Sequence, residues 1–477
     1  MPLRHPYEVA MQQIAFDPAD PRAALAQLPQ TSAVFALYGA EAHAEPYIGR
    51  TPNLRGRLER LLQPSARHPR RLQLAGRVRR IEWQLTGSEF ESLLLQFELL
   101  QKVYGTKCLE RMHLRSPAFV RFLGGNPYPR ITVTHRPSQR EADWSYGPFP
   151  SRAAAERYAE EMLKLFLLRR CTFELSPDPG YPGCVYSEMK MCLAPCYQGC
   201  TDERYGEEAV AVESFLATRG ESRLVTLRTQ REAASANLEF ESAATLHSQV
   251  QRVESVRALA AELVRPLSRL RAVILQASAH ADEVAVFLYE NGRLRGPAQF
   301  STLGMRIQNE QSGSTSLFAQ PMAIEPVPEA VQPEQAAEDI SRSAEVLEND
   351  PARAKAPIDF VSDSARHPEG TRSCPDTNLP TPATSKAGTV APVKAARGVL
   401  EARMEAALSA LTDLSKAPSP TLRQGHLALL KRWYYRPEAR RTGEIFFTDA
   451  EGRWPVKAML RGVGRVAVKT LTAGNRD

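Results

Sequence analysis

Apolar and polar positions alternate in a way that divides the chain into segments. Residues 32–38 (Ser-Ala-Val-Phe-Ala-Leu-Tyr) read as a strand and residues 45–49 as a second. The segment between them carries Gly39 and His43 and predicts a hairpin. Asn53 is placed to cap a helix through Leu54, Leu58 and Leu61. A further strand is expected at 78–85. A helix is expected at 88–102, with Phe90, Leu93, Leu94, Phe97 and Leu100 in one stripe at the helical period. This β-β-α-β-α order predicts a small α/β domain over 31–115, preceded by an N-terminal extension, 1–30.

Beyond it, residues 116–202 combine short strands and turns with an amphipathic helix over 151–168 and a cysteine-rich stretch. Residues 203–262 are rich in Ala, Leu and Glu and predict helices. A β-hairpin is expected within 270–306, turning at Asn291-Gly292. Residues 307–397 are rich in Pro, Ser, Ala and Glu without a period and predict a disordered linker. Residues 398–477 are expected to form a small basic C-terminal module with two helices. Its run Lys431-Arg432-Trp433-Tyr434-Tyr435-Arg436 reads either as a base-stacking surface or as core. Its Gly462-Val463-Gly464 reads either as the phosphate-facing loop of a helix-hairpin-helix or as a plain glycine helix turn.

Composition sharpens the picture. The 477 residues exceed one ordinary core, and 43% hydrophobic content supports a folded majority. The net charge of +7 is modest, but between Arg50 and Arg80 there are ten arginines and one acid, Glu59. That excess suits a polyanion, or a solvated basic face. The first 30 residues lack the apolar region of a signal peptide, and no apolar run approaches the ~20 residues of a membrane helix. A soluble, cytoplasmic protein is expected. Five of the seven cysteines fall between Cys171 and Cys200, which in that compartment suggests metal ligands rather than disulfides.

Phosphodiester hydrolysis needs a base for the water, cations for the phosphate charge and a metal for the leaving side. Val34-Phe35, followed by Tyr47-Ile48-Gly49-Arg50-Thr51-Pro52-Asn53-Leu54-Arg55-Gly56-Arg57-Leu58, resembles the GIY-YIG nuclease signature as the UvrC family carries it. The resemblance implies that Tyr47 handles the water and that Arg50 and Arg57 hold phosphate, with Arg55 and Arg60 as further DNA contacts. Three positions depart from the pattern. Phe35 stands for the first tyrosine, Gln96 for the glutamate that binds Mg²⁺ or Mn²⁺, and Cys108 for a supporting asparagine. Glu98 and Glu89 are poor replacements for the missing carboxylate, one round the helix and the other about 10 Å along it.

Cys171, Cys184, Cys192 and Cys196 are spaced x12, x7 and x3. Cys192-Leu-Ala-Pro-Cys196 resembles the same family's element, and Tyr146-Gly-Pro-Phe149 resembles a segment upstream of it. The resemblance implies an iron–sulfur cluster; four thiolates alone fit zinc equally, and buried free cysteines are the plain alternative. Residues 224–253 resemble a UVR motif, which implies docking onto a UvrB-like helicase subunit through Leu238, Phe240, Ala243, Ala244 and Leu246. Its usual Leu-Arg-Asp ending is Leu246-His247-Ser248 here. Residues 272–304 resemble the opening strands of the family's RNase H-like domain, without its Asp-centred motif. The expected function is that of a UvrC-like subunit in nucleotide excision repair, binding DNA with incision weakened or lost. The alternatives are an active nuclease making a single incision and a non-catalytic adaptor competing for UvrB.

Overall fold

The computed structural model describes residues 11–41, 44–62, 74–302, 305, 390–412 and 418–474. The first unit starts inside the expected N-terminal extension. Strand β1 (Gln12–Ala15) and helix α1 (Pro21–Ala26) precede β2 (Ala33–Gly39), β3 (Tyr47–Thr51), α2 (Leu54–Leu62), β4 (Val78–Leu85) and α3 (Glu89–Tyr104). The sheet order is β1-β4-β2-β3, and every neighbouring pair is antiparallel. Residues 11–30 are therefore part of this domain, because the edge of β4 is covered by β1. Both helices expected here are capped: Asn53 Oδ1 accepts from the Gly56 amide, and Ser88 Oγ from the Glu91 amide.

Helix α4 (Cys108–Arg111) leads to β5 (Ala118–Phe122), β6 (Ile131–Thr134), β7 (Ser145–Phe149) and α5 (Arg152–Leu163). The short helix α6 (Val185–Glu188) lies in the cysteine-rich stretch. Then come α7 (Asp202–Ala217), α8 (Glu221–Ala236), α9 (Phe240–Ala258) and β8 (Arg265–Pro266). The second sheet, β6-β5-β7-β8, shares a core with α5 and the α7–α9 helices, in which Tyr158, Met162, Phe215, Leu224 and Val253 are buried.

The third sheet changes the expected domain organisation. It contains β9 (Ala272–Ala277), β10 (Glu283–Glu290), β11 (Arg293–Ser301) and β12 (Glu444–Phe447), in the order β11-β10-β9-β12. Helices α10 (Val390–Leu411), α11 (Pro420–Tyr434) and α12 (Val456–Gly474) pack on it. The hairpin at 270–306 and the C-terminal stretch at 398–477 are thus one α/β unit, because β12 pairs with β9 rather than standing alone. Asn291 and Gly292 turn its hairpin with φ of 51° and 77°, the left-handed conformations that this turn requires. The expected linker lies mostly outside the described residues, but its last residues, from Val390, are helical. No described helix is long and apolar enough to cross a membrane.

Helix α3 joins the first unit to the third. Its stripe Phe90, Leu93, Leu94, Phe97 and Leu100 shares a core with Phe287 of β10, Trp433 of α11 and Phe447 of β12. Phe90 meets Phe287 edge to face at 5.2 Å. Gly425 of α11 approaches so closely that a Cβ there would lie 2.1 Å from the Phe97 ring.

Candidate functional site

Strand alternation sorts the signature residues onto two faces of the β2–β3 hairpin. Phe35 and Tyr47 share the face covered by α1 and α2, with ring centroids 6.1 Å apart. Gly49 lies on that face too, and a Cβ there would come 2.7 Å from the Phe35 ring. Phe35 is buried, so the residue at the first tyrosine position is a core side chain here. Tyr47 is half-buried. Ile48 and Arg50 take the opposite face, towards α3.

Arg50 ends 3.5 Å from a carboxylate oxygen of Glu89, the first residue of α3. Arg436 takes the same carboxylate in a two-pronged grip, Nη1 to Oε2 at 2.7 Å and Nη2 to Oε1 at 2.8 Å. The hydrogen bonds from Arg436, then the charges of Arg436, Arg50 and Arg432, hold the Glu89 carboxyl below its usual range against the opposing effect of burial. No sequence signal could reveal this contact, since the partners are 347 residues apart.

The other expected DNA contacts separate. Arg57 is half-buried on α2, and its side chain has no hydrogen bond or ion pair among the described residues. Arg60 is exposed and turns back to the Gly56 carbonyl at 2.9 Å. Arg55 is instead a structural brace: its Nε donates to the Leu28 carbonyl and its Nη2 to that of Ala26, each at 2.7 Å. These bonds tie α2 to the end of α1.

Gln96 is half-buried on α3, two turns past Glu89. It offers an amide where the pattern needs a carboxylate, and a neutral amide is a weak ligand for a hard divalent cation. Glu98 faces Lys102 and Arg293, and burial pushes its carboxyl up to about 7. Cys108 is fully buried at the start of α4, in the core shared with α3, so it supports packing. The residues present at this site do not fit a resident Mg²⁺ or Mn²⁺ ion.

In the cysteine-rich stretch, Cys196 is buried, and Cys171, Cys184 and Cys192 are half-buried. They are close enough for the other three to raise the Cys192 thiol, which burial chiefly pushes up to about 11. Donors already face two sulfurs: the Ala194 amide at 3.3 Å from Cys192 Sγ, and Arg169 Nη1 at 3.6 Å from Cys171 Sγ. Among the described residues, however, no group of three or more Cys, His, Asp or Glu side chains is placed to hold a metal ion. The stretch is gathered but not closed into a ligand set.

Helices α8 and α9 form the expected hairpin. Leu238 and Phe240, 71% and 69% exposed, sit in its turn, while Ala234, Val250 and Val253 are buried on its inner side. Ala243 and Leu246 are half-buried and Ala244 is exposed. In the C-terminal run, Trp433 is core, its Nε1 donating to the Thr442 carbonyl, and Tyr435 donates to the Pro148 carbonyl. The core alternative thus holds for Trp433, and Tyr434 and Tyr435 are half-buried beside it. Gly462 and Gly464 lie inside the single helix α12, so they form no hairpin loop. Strand β9 carries no carboxylate, and its buried Gln276 bonds to Thr442.

Comparison with known proteins agrees with this arrangement. Residues 33–105 match the family model of the UvrC-like GIY-YIG domain, and residues 119–215 match that of the UvrC/Cho excinuclease middle domain. Over these two stretches the chain is similar to the UvrC family. The UvrABC system protein C of Alcanivorax borkumensis is 29% identical over 238 residues, which cover 50% of this chain and 39% of that protein. That of Ruminiclostridium cellulolyticum is 29% identical over 300 residues, 62% of this chain and 48% of that protein. That of Carboxydothermus hydrogenoformans is 28% identical over 279 residues, 58% of this chain and 45% of that protein. The chain thus matches less than half the length of these UvrC relatives. No solved structure matches it.

Proposed function

We propose that this protein is a UvrC-like subunit of nucleotide excision repair that binds DNA, with phosphodiester incision weakened or lost. One observation carries the reading. The metal position on α3 is an amide, Gln96, and the neighbouring carboxylate, Glu89, is engaged by Arg50 and Arg436. Phe35, buried and without a hydroxyl, removes a second catalytic group. Tyr47 and Arg57 keep their positions on β3 and α2, which suits binding and orienting a phosphodiester more than breaking one.

The test is cleavage of nicked, bubble and lesion-bearing duplexes with Mg²⁺ or Mn²⁺. An inert wild type and a Gln96→Glu variant that gains cleavage support the reading. A wild type that cuts, with Arg57→Ala inactive, overturns it in favour of a rebuilt active site.

The partner in this reading is a UvrB-like subunit, docked at the α8–α9 turn. Exposed Leu238 and Phe240 support that, since isolated apolar side chains of this size at a helical-hairpin tip suit a matching groove. We further propose that Cys171, Cys184, Cys192 and Cys196 hold an iron–sulfur cluster or zinc. Their clustering supports this, and the amide and guanidinium donors facing the sulfurs would stabilise thiolates. Metal and sulfide analysis of protein purified without oxygen tests it. Bound metal that Cys196→Ser loses is expected, and a metal-free wild type would refute it.

A further inference from the structure

The basic-aromatic run of α11 loses its aromatic rings to the core, and that burial fixes where its arginines go. Trp433 is buried, and Tyr434 and Tyr435 pack beside it. Arg432 is left exposed, its side chain with no hydrogen bond or ion pair among the described residues. Arg436 reaches Glu89 with its side chain 24% exposed, and Arg50 does so with its side chain 32% exposed. The charges of Arg50, Arg432 and Arg436 all act on Glu89. Two guanidinium groups thus grip one carboxylate at the solvent boundary, and the charge of Arg432 acts on it as well, an excess of two positive charges.

We propose that Arg50, Arg432 and Arg436 form one DNA-backbone phosphate site assembled from both ends of the chain. The site rests on the DNA-binding reading above and adds residues that lie outside both matched family domains. Glu89 holds the forks of Arg436 and Arg50 towards a common point. A phosphate presents the same pair of acceptor oxygens with more charge, so it competes with Glu89 for those donors. Arg432, free of any partner, adds a contact without giving one up. The ligand is the backbone phosphate of a DNA duplex lying at the start of α3, where the first unit meets α11 of the third.

The experiment is fluorescence anisotropy of the full chain with a fluorescein-labelled DNA duplex over a series of salt concentrations. Arg432→Ala and Arg436→Ala should each weaken binding about threefold and lower the slope of log Kd against log salt by about one. Glu89→Gln should tighten binding, because it removes the competing carboxylate. Arg432 is exposed and unpaired, so its variant tests the site without a folding defect. Wild-type affinity and slope in both arginine variants, with binding weakened in Arg57→Ala, would overturn the inference and leave the DNA reading standing. A Glu89→Gln variant that binds no tighter and melts earlier would make the ion pair a packing contact only, and also overturns it. A wild-type chain that binds no duplex overturns the DNA reading itself.

Discussion

Two glutamates in the first turn of α3 meet opposite fates. Glu89 is held charged by arginines, whereas Glu91 is 4% exposed, and burial pushes its carboxyl up to about 7 against a single amide donor, Gly87, at 2.8 Å. A folded-state value above the ordinary 4.5 means that folding favours the protonated acid. The contribution of Glu91 to stability is therefore complete below about pH 4.5 and is lost as pH rises through about 7. Glu91→Gln keeps the acceptor for Gly87 and removes the titration. It is expected to be more stable than wild type by about 1–3 kcal/mol at pH 8 and equal to it near pH 4.5, as read by urea unfolding at both values. At this scale the sequence shows which residues depart from a pattern, such as Phe35 and Gln96. It does not show which arginine is committed to a carbonyl, as Arg55 is, because the acceptors come from turns whose geometry leaves no mark on composition.

Among the elements, the α8–α9 hairpin separates stability from recognition most cleanly. Val250 and Val253 face the inner core, and Leu238 and Phe240 face solvent. The double variant Leu238→Ser/Phe240→Ser should keep the melting temperature within about a degree, since exposed positions contribute little to folding. It should also lose binding to a UvrB-like partner in a calorimetric titration. Val253→Ala should cost about 1–3 kcal/mol by leaving a cavity. The start of α2 was legible because a capping side chain is a local device, as at Asn53. The Gly462-Val463-Gly464 segment was ambiguous for a comparable local reason. Two glycines suggest a turn, but in α12 Gly462 permits close packing, and a Cβ there would lie 2.6 Å from the Phe446 ring.

For the molecule as a whole, the sequence read the apolar stripe of α3 correctly but not what covers it. The covering residues, such as Phe287, Trp433 and Phe447, are distant along the chain, and periodicity reports only that a face is buried. Gly425 is a sensitive probe of that seam. Gly425→Ala gains helix propensity, yet its methyl would meet the Phe97 ring at 2.1 Å. Overpacking should win and cost about 1–3 kcal/mol, with the first and third units still unfolding in one transition by circular dichroism and Trp fluorescence. The seam also has a kinetic consequence. A ribosome finishes the first unit's strands and α3 several hundred residues before it makes Trp433 and Phe447. For all of that interval the nascent chain carries Phe90, Leu93, Phe97 and Leu100 without their full native cover, a long-range pairing that is slow to form and open to aggregation. Chaperone demand during synthesis should therefore peak before α11 emerges and fall once β12 joins its sheet.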